Sequence, residues 1–203
     1  VRFQRDVEAQ ARAASMVCLC GSVPPGTPAA AYPALVSALV NAGLPVWIDA
    51  SGAPLASVES LPGVHLKINQ SEAEFLLQRP LQSREDAIGA AVSLSRNGQR
   101  RAVITLGAEG AVLAAPSGLW WARPPAIQRL NAVGSGDSFL AGLVSALQRG
   151  ACEDLALAWG TAAGAANAQS AGGASFPGRP IDRPRAGGAR VPLWTTGRVC
   201  WRG

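Results

Sequence analysis

The sequence predicts an α/β fold, a mainly parallel sheet flanked by helices, and three observations carry that expectation. Short apolar runs of strand length alternate with longer stretches whose apolar residues recur at helical spacing. Glycine and proline cluster in the connections between them. The chain has 203 residues, 48% of them hydrophobic, enough for one α/β domain with a full core.

The opening "VRFQRDVEAQARAAS" reads as a helix cut at its beginning. It mixes Asp6 and Glu8 with arginines, unlike a signal or transit peptide, and lacks an initiator Met, so a piece of a longer protein is expected. "MVCLC" (16–20) is a short strand ending in the turn "GSVPPGTP". A helix follows over about 29–42, with Leu35, Val36, Leu39 and Val40 on one face and Gly43 just past its end. "LPVWIDA" (44–50) and "GVHLKI" (63–68) read as buried strands, and "DASG" (49–52) as a strand-end loop. Ser71 with Glu74 forms a capping-box pattern for a short helix through Leu77. Ser83 with Asp86 starts the next helix, which Asn97-Gly98 ends. "RAVITLG" (101–107) is a strand, "AEG" a turn, and "AVLAA" (111–115) its hairpin partner. An irregular stretch through "WWARPPAIQRL" leads to "NAVGSGDSFLAG" and its helix, closed by Arg149-Gly150. An Ala-rich helix covers roughly 153–170.

Composition removes several classes of function. The formal charge of +5 comes from 18 basic against 13 acidic residues, and residues 172–203 hold six arginines with only Asp182. The excess therefore belongs to a Pro/Gly/Arg-rich tail expected to be poorly ordered, residues 1–171 are balanced, and no nucleic-acid partner is implied. No apolar run approaches the roughly 18 residues of a membrane span, so no membrane partner is implied either. The four cysteines show no C-x-x-C pairing, which implies neither a zinc site nor a disulfide framework and makes a reducing cytoplasm the default. His65, the single histidine, reads as an ordinary strand-end residue and leaves no Ser-His-Asp triad to build.

Two motifs place chemistry at strand ends. "KINQSE", Lys67 to Glu72, sets an ammonium, an amide and a carboxylate where an α/β sheet presents ligands. Lys67 is the only lysine beside 17 arginines, so a compact ammonium is indicated there, against the alternative of a solvent-facing strand end. Asn69 and Glu72 could hold water around Mg²⁺, which prefers few protein ligands. "NAVGSGDSFLAG" (131–142) puts Gly134, Ser135 and Gly136 ahead of a helix N-terminus, where free N–H groups suit an anion. Asp137 follows them, and from this motif alone it is either a helix cap or a catalytic carboxylate. A dinucleotide fingerprint needs a third glycine where Phe139 stands, which disfavours a Rossmann oxidoreductase, and no phosphate loop ending in Gly-Lys-Ser/Thr is present. "TLGAEG", Thr105 to Gly110, is a strand end whose glycines allow close backbone approach, or a plain hairpin turn.

In order, GS-PPG, D-SG, K-x-N-x-x-E, LGAEG and N-x-VGSGDS-x-x-AG resemble the PfkB carbohydrate kinase family, with its ribokinase-like fold, over about residues 10–170. Asn131-Ala-Val before the glycines, with "GSVPPG" and "DASG", resembles the phosphosugar branch, 1-phosphofructokinase and tagatose-6-phosphate kinase. Ribokinase-type members carry Asp-Thr at that point, the aspartate belonging to a monovalent-cation site, and this chain has Asn131 instead. The resemblance implies that Asp137 is the catalytic base and that Gly134, Ser135 and Gly136 form the anion hole. It implies that Asn69 and Glu72 organise Mg²⁺ and ATP, with Lys67 near the phosphates and Asp49 as a partner around the metal. Thr105, Leu106, Gly107, Glu109 and Gly110 then line the nucleotide site, and Asn167 lies near the adenine. The family's N-terminal strands and lid have no counterpart in the chain, and the tail does not match its final strand.

The expected function is ATP-dependent phosphorylation of a hydroxyl on a sugar phosphate, of the fructose 1-phosphate or tagatose 6-phosphate class. The expected partners are ATP and that sugar phosphate, in a cytoplasmic protein for which a homodimer is one expected state. The alternative is a truncated, non-catalytic fragment or pseudokinase that at most binds nucleotide.

Overall fold

A computed structural model describes residues 2–96 and 100–171 and the backbone of 197–198. The rest of the tail expected to be poorly ordered, and the Asn97-Gly98 helix end, lie outside the described residues. The chain divides into two compact units, Val1–Thr105 with Val112–Leu119, and Leu106–Ala111 with Trp120–Gly203.

The first unit carries helix α1 (Arg2–Ala11), then strand β1 (Val17–Cys20), helix α2 (Ala31–Asn41), β2 (Val46–Asp49) and α3 (Gly52–Val58). β3 (Val64–Asn69), α4 (Gln70–Leu77), α5 (Arg84–Arg96) and β4 (Ala102–Thr105) complete its repeating strand–helix pattern. β1 to β4 pair in parallel, as predicted, and they do so in chain order. Crossovers of one hand between strands laid down in order place the connecting helices in one layer. α2 indeed packs on α3, α3 on α4, and α4 on α5. Val46, Trp47, Ile48, Val64, Leu66 and Ile68 are fully buried, as strands covered on both faces require.

Local chemistry sets the boundaries. Gly43 takes φ 79° past α2 and donates its N–H to Val40, closing the helix at the predicted residue. Ser83 and Asp86 exchange bonds at the start of α5: Asp86 N–H donates to Ser83 Oγ at 3.1 Å and Ser83 N–H to Asp86 Oδ2 at 3.0 Å. The capping box expected at Ser71 and Glu74 instead belongs to Asn69 and Glu72. Asn69 ends β3 in an extended conformation, so α4 begins at the next residue and Ser71 falls inside its first turn. Glu74 is occupied elsewhere, accepting from Leu81 N–H and Gln70 Nε2 to hold the chain after α4.

Two further elements depart from expectation. "DASG" is a loop only as far as Ser51, because Gly52 opens α3; its first turn tolerates Pro54, and Leu55 and Val58 bury its inner face. The stretch read as irregular contains strand β6 (Gly118–Ala122), which follows β5 (Ala111–Ala115) after two residues and neighbours it in the sheet. Leu119, Trp120 and Ala122 are buried there, so burial outweighs the prolines that follow.

The second unit holds α6 (Ser135–Gln148) and α7 (Glu153–Ala168), packed tightly on each other. A short strand, β7 (Gly197–Arg198), pairs antiparallel with Trp120 and Trp121. Glycines let the two helices approach. A Cβ on Gly142 would lie 2.8 Å from Trp159 O and from Ala163 Cβ, and one on Gly160 3.0 Å from Phe139 O. No helix among the described residues is long and apolar enough to cross a membrane.

Candidate active site

Parallel strands share a direction, so β1 to β4 finish at one edge of the first unit. Register sets Cys20 beside Asp49 and Asn69 beside Thr105 there. Lys67 is no solvent-facing strand end. It is 3% exposed, and its Nζ donates to Asp49 Oδ2 at 2.6 Å. Asn69 Oδ1 accepts Glu72 N–H at 3.0 Å while Glu72 Oε2 accepts Asn69 N–H at 2.8 Å. The K-x-N-x-x-E spacing thus turns strand directly into helix and fixes both polar side chains at the sheet edge.

The charges at this edge shape one another. Burial holds the Glu72 carboxyl above its usual range, against the hydrogen bond from Asn69 N–H; Asp49 adds to the rise and Lys67 opposes it. The Tyr32 phenol, in the first turn of α2, is pushed up to about 12 by burial, with Cys20 and Asp49 contributing, so it stays neutral. Thr105 Oγ1 makes only a long bond, 3.4 Å, to Ile68 O.

Among the described residues no group of three or more His, Cys, Asp or Glu converges as a metal cage. Asp49 gives one oxygen to Lys67, Glu72 gives one to Asn69 N–H, and Asn69 Oδ1 is taken by its cap, which leaves one oxygen of each carboxylate as a further donor. A sparse set of hard oxygens fits Mg²⁺ held largely through water and ligand phosphates, and does not fit zinc.

In the second unit, Leu106 N–H donates to Gly110 O at 2.8 Å around the single 3-10 turn Gly107–Glu109. Gly110 has a local reason to be glycine: at φ 105° a Cβ would sit 2.1 Å from Ala122 O. Gly107, at φ 58°, has open space where its Cβ would be. The Glu109 carboxylate is exposed and pairs with Arg123 at 2.7 Å.

The glycine turn before α6 is the more elaborate construction. Gly134 adopts the left-handed conformation, φ 77°, as N-cap of α6. Asn131 Oδ1 accepts Val133 N–H at 2.9 Å, a side-chain turn typical of asparagine. Leu130 N–H and Asn131 N–H both donate to Ala168 O, at 2.8 and 3.2 Å. Ser135 N–H donates to Ala132 O, so its backbone donor faces into the turn. The N–H groups of Gly136 and Asp137 donate to no acceptor among the described residues. No side chain caps α6, and Asp137 is exposed in its first turn. The cap reading of Asp137 therefore has no hydrogen bond behind it. What remains is a carboxylate beside two open backbone donors at the positive end of a 14-residue helix.

Asn167, expected near an adenine, is 1% exposed at the end of α7. Its Nδ2 donates to Val133 O at 2.8 Å and to Ser135 Oγ at 3.0 Å. The expected residues thus fall into two groups, Asp49, Lys67, Asn69, Glu72 and Thr105 in the first unit and the remainder in the second.

The sequence pattern of the pfkB family carbohydrate kinases matches residues 2–179. The chain belongs to that family. It is 36% identical over 133 residues to a 1-phosphofructokinase of Escherichia coli, covering 65% of this chain and 42% of that protein. It is 33% identical over 152 residues to a 1-phosphofructokinase of Haemophilus influenzae, covering 74% and 48%. The chain thus spans about half the length of the curated relatives it matches. Among solved structures, phosphofructokinase-2 from Escherichia coli in complex with potassium superposes with a TM-score of 0.77 at 28% identity, over 83% of this chain and 56% of that one. The ribokinase-like fold expected from the motif order is the fold of this pfkB chain.

Sequence reasoning about this pfkB chain missed the setting of two residues. Tyr32 lies beyond a proline-rich loop, and only the fold brings it near Asp49. The contacts of Asn167 had a signal, because Gly160, Gly164 and Asn167 fall on one face of α7 at helical spacing. That face also carries the two glycines packed against Phe139 and Ser135.

Proposed function

We propose that residues 1–171 form the part of a kinase that transfers a phosphoryl group from ATP to a hydroxyl of a sugar phosphate, of the fructose 1-phosphate or tagatose 6-phosphate class. The observation that carries this reading is the exposed, uncapped Asp137 beside the open N–H groups of Gly136 and Asp137. An exposed carboxylate in this place is open to an incoming hydroxyl, as a proton acceptor must be. Asp137 takes the proton of the acceptor hydroxyl, the hydroxyl oxygen bonds to the terminal phosphorus of ATP, and the bond to the ADP oxygen breaks. The open N–H groups stabilise charge on the phosphoryl oxygens as it passes across.

Lys67, Asn69 and Glu72 are assigned to the triphosphate and its metal, and Leu106 to Gly110 with Thr105 to the nucleotide. Mg²⁺, when bound, neutralises phosphate charge; Glu72 and, through water, Asn69 are the residues that would hold it. The relatives named 1-phosphofructokinase support the sugar-phosphate acceptor over an unphosphorylated sugar.

The test is an ADP-release assay with Mg²⁺, ATP and fructose 1-phosphate on the chain and on Asp137→Asn. Turnover that falls at least a thousandfold in the variant, with ATP affinity within twofold, is expected. Near-normal turnover in the variant overturns the assignment. The match to only about half of each relative favours a second reading, a non-catalytic piece that at most binds nucleotide. Nucleotide binding with no turnover in the unaltered chain selects it.

A further inference from the structure

The glycine turn is held from an unexpected side. Its two flanking residues, Val133 and Ser135, are both gripped by one side chain, the amide of Asn167. A carbonyl oxygen only accepts, so the atom facing Val133 O must be the amide nitrogen, which settles the orientation of the side chain. Between the two anchored residues lies Gly134 in the left-handed conformation that reverses the chain into α6. The same end of α7 takes the Leu130 and Asn131 N–H groups on Ala168 O. Gly164 permits this approach: a Cβ there would lie 3.1 Å from Ser135 O.

We propose that Asn167 is a positioning residue, whose amide fork sets Val133 and Ser135 and thereby aims the open N–H groups of Gly136 and Asp137 and the Asp137 carboxylate. This assigns Asn167 to the turn rather than to a nucleotide base. Its consequence for turnover rests on the phosphoryl-transfer reading above; its structural part does not. A buried amide that donates twice to one turn resists its rearrangement, because breaking the fork strands a donor away from water. A rigid turn preserves the alignment on which phosphoryl transfer depends.

Amide hydrogen exchange on the whole chain tests the structural part. The reporters are the hydrogen-bonded N–H groups of Leu130, Asn131, Val133 and Ser135. In Asn167→Ala these should exchange at least tenfold faster, while amides of 156–163 in α7 keep their protection. Unchanged exchange at the four reporters overturns the proposal, and so does equal loosening throughout α6 and α7, which would mean packing alone. Should Asn167→Ala fail to fold, Ser135→Ala removes one arm of the fork and decides by the same reporters, with a smaller acceleration expected. In the ADP assay, Asn167→Ala should lower kcat at least tenfold and leave KM for ATP within twofold; an unchanged kcat overturns the catalytic part. Absence of turnover in the unaltered chain strikes the kinase reading, while the exchange result still decides the role of Asn167.

Discussion

Trp47 and His65 meet on neighbouring strands with their rings tilted by 40° and centroids 5.0 Å apart, and His65 Nδ1 accepts Arg101 N–H at 3.0 Å. Protonating that nitrogen would set one donor against another in a largely buried place. Burial, reinforced by Arg101 and Arg100, accordingly lowers the His65 pKa to about 4. The unfolded chain, at the ordinary histidine value of 6.5, binds the proton first as pH falls. Stability from neutral His65 is therefore complete above pH 6.5 and is lost between 6.5 and 4, by about 3 kcal/mol in all. Denaturant melts across that window should show the decline, and His65→Asn, which keeps an acceptor for Arg101 but does not titrate, should flatten it. Equal slopes in the two proteins would remove His65 as the cause. Read alone, this residue was an ordinary strand-end histidine; the depressed pKa needs burial and two nearby arginines, which only folding assembles.

At the scale of elements, the α6–α7 pair is set by small residues. Gly142 faces Trp159 O and Ala163, and backbone cannot retreat as a flexible side chain can. Gly142→Ala is expected to destabilise by about 1–3 kcal/mol in chemical denaturation, against no measurable change for Ala141→Ser on the exposed side. An unaltered midpoint in the glycine variant would show that the helices can part at little cost. The long periodic helices and the parallel strands were legible because apolar spacing and capping residues act locally. α3 and β6 were not, since Gly52 with Pro54, and Trp120 before a proline pair, look like loop until burial decides. The cap before α4 was displaced by two residues for a similar reason: which polar residue caps depends on where β3 ends.

For the whole molecule the relevant quantity is ligand linkage, because ATP that binds only the folded chain must stabilise it. At a nucleotide concentration about a hundredfold above its dissociation constant the gain is about 2.7 kcal/mol, roughly 5–10 °C in unfolding temperature for a chain of this size. Thermal melts with ATP and Mg²⁺ should show this shift, and Asp137→Asn should retain it, since that carboxylate is assigned to the acceptor hydroxyl rather than to ATP. No shift in either protein would remove nucleotide binding from the chain.

The order of residues was enough to specify the alternation of strands and helices, the chain's family and the positions of its motifs. Each depends on local spacing: a period of two or 3.6, a glycine where φ is positive, a cap three residues from its partner. Tertiary structure alone determined what those residues do to one another. It buried Lys67 against Asp49, left Asp137 without a capping partner, and brought Asn167 onto a turn more than thirty residues earlier in the chain. Such contacts join residues distant in sequence, and their energies depend on burial and distance, which a linear order does not contain.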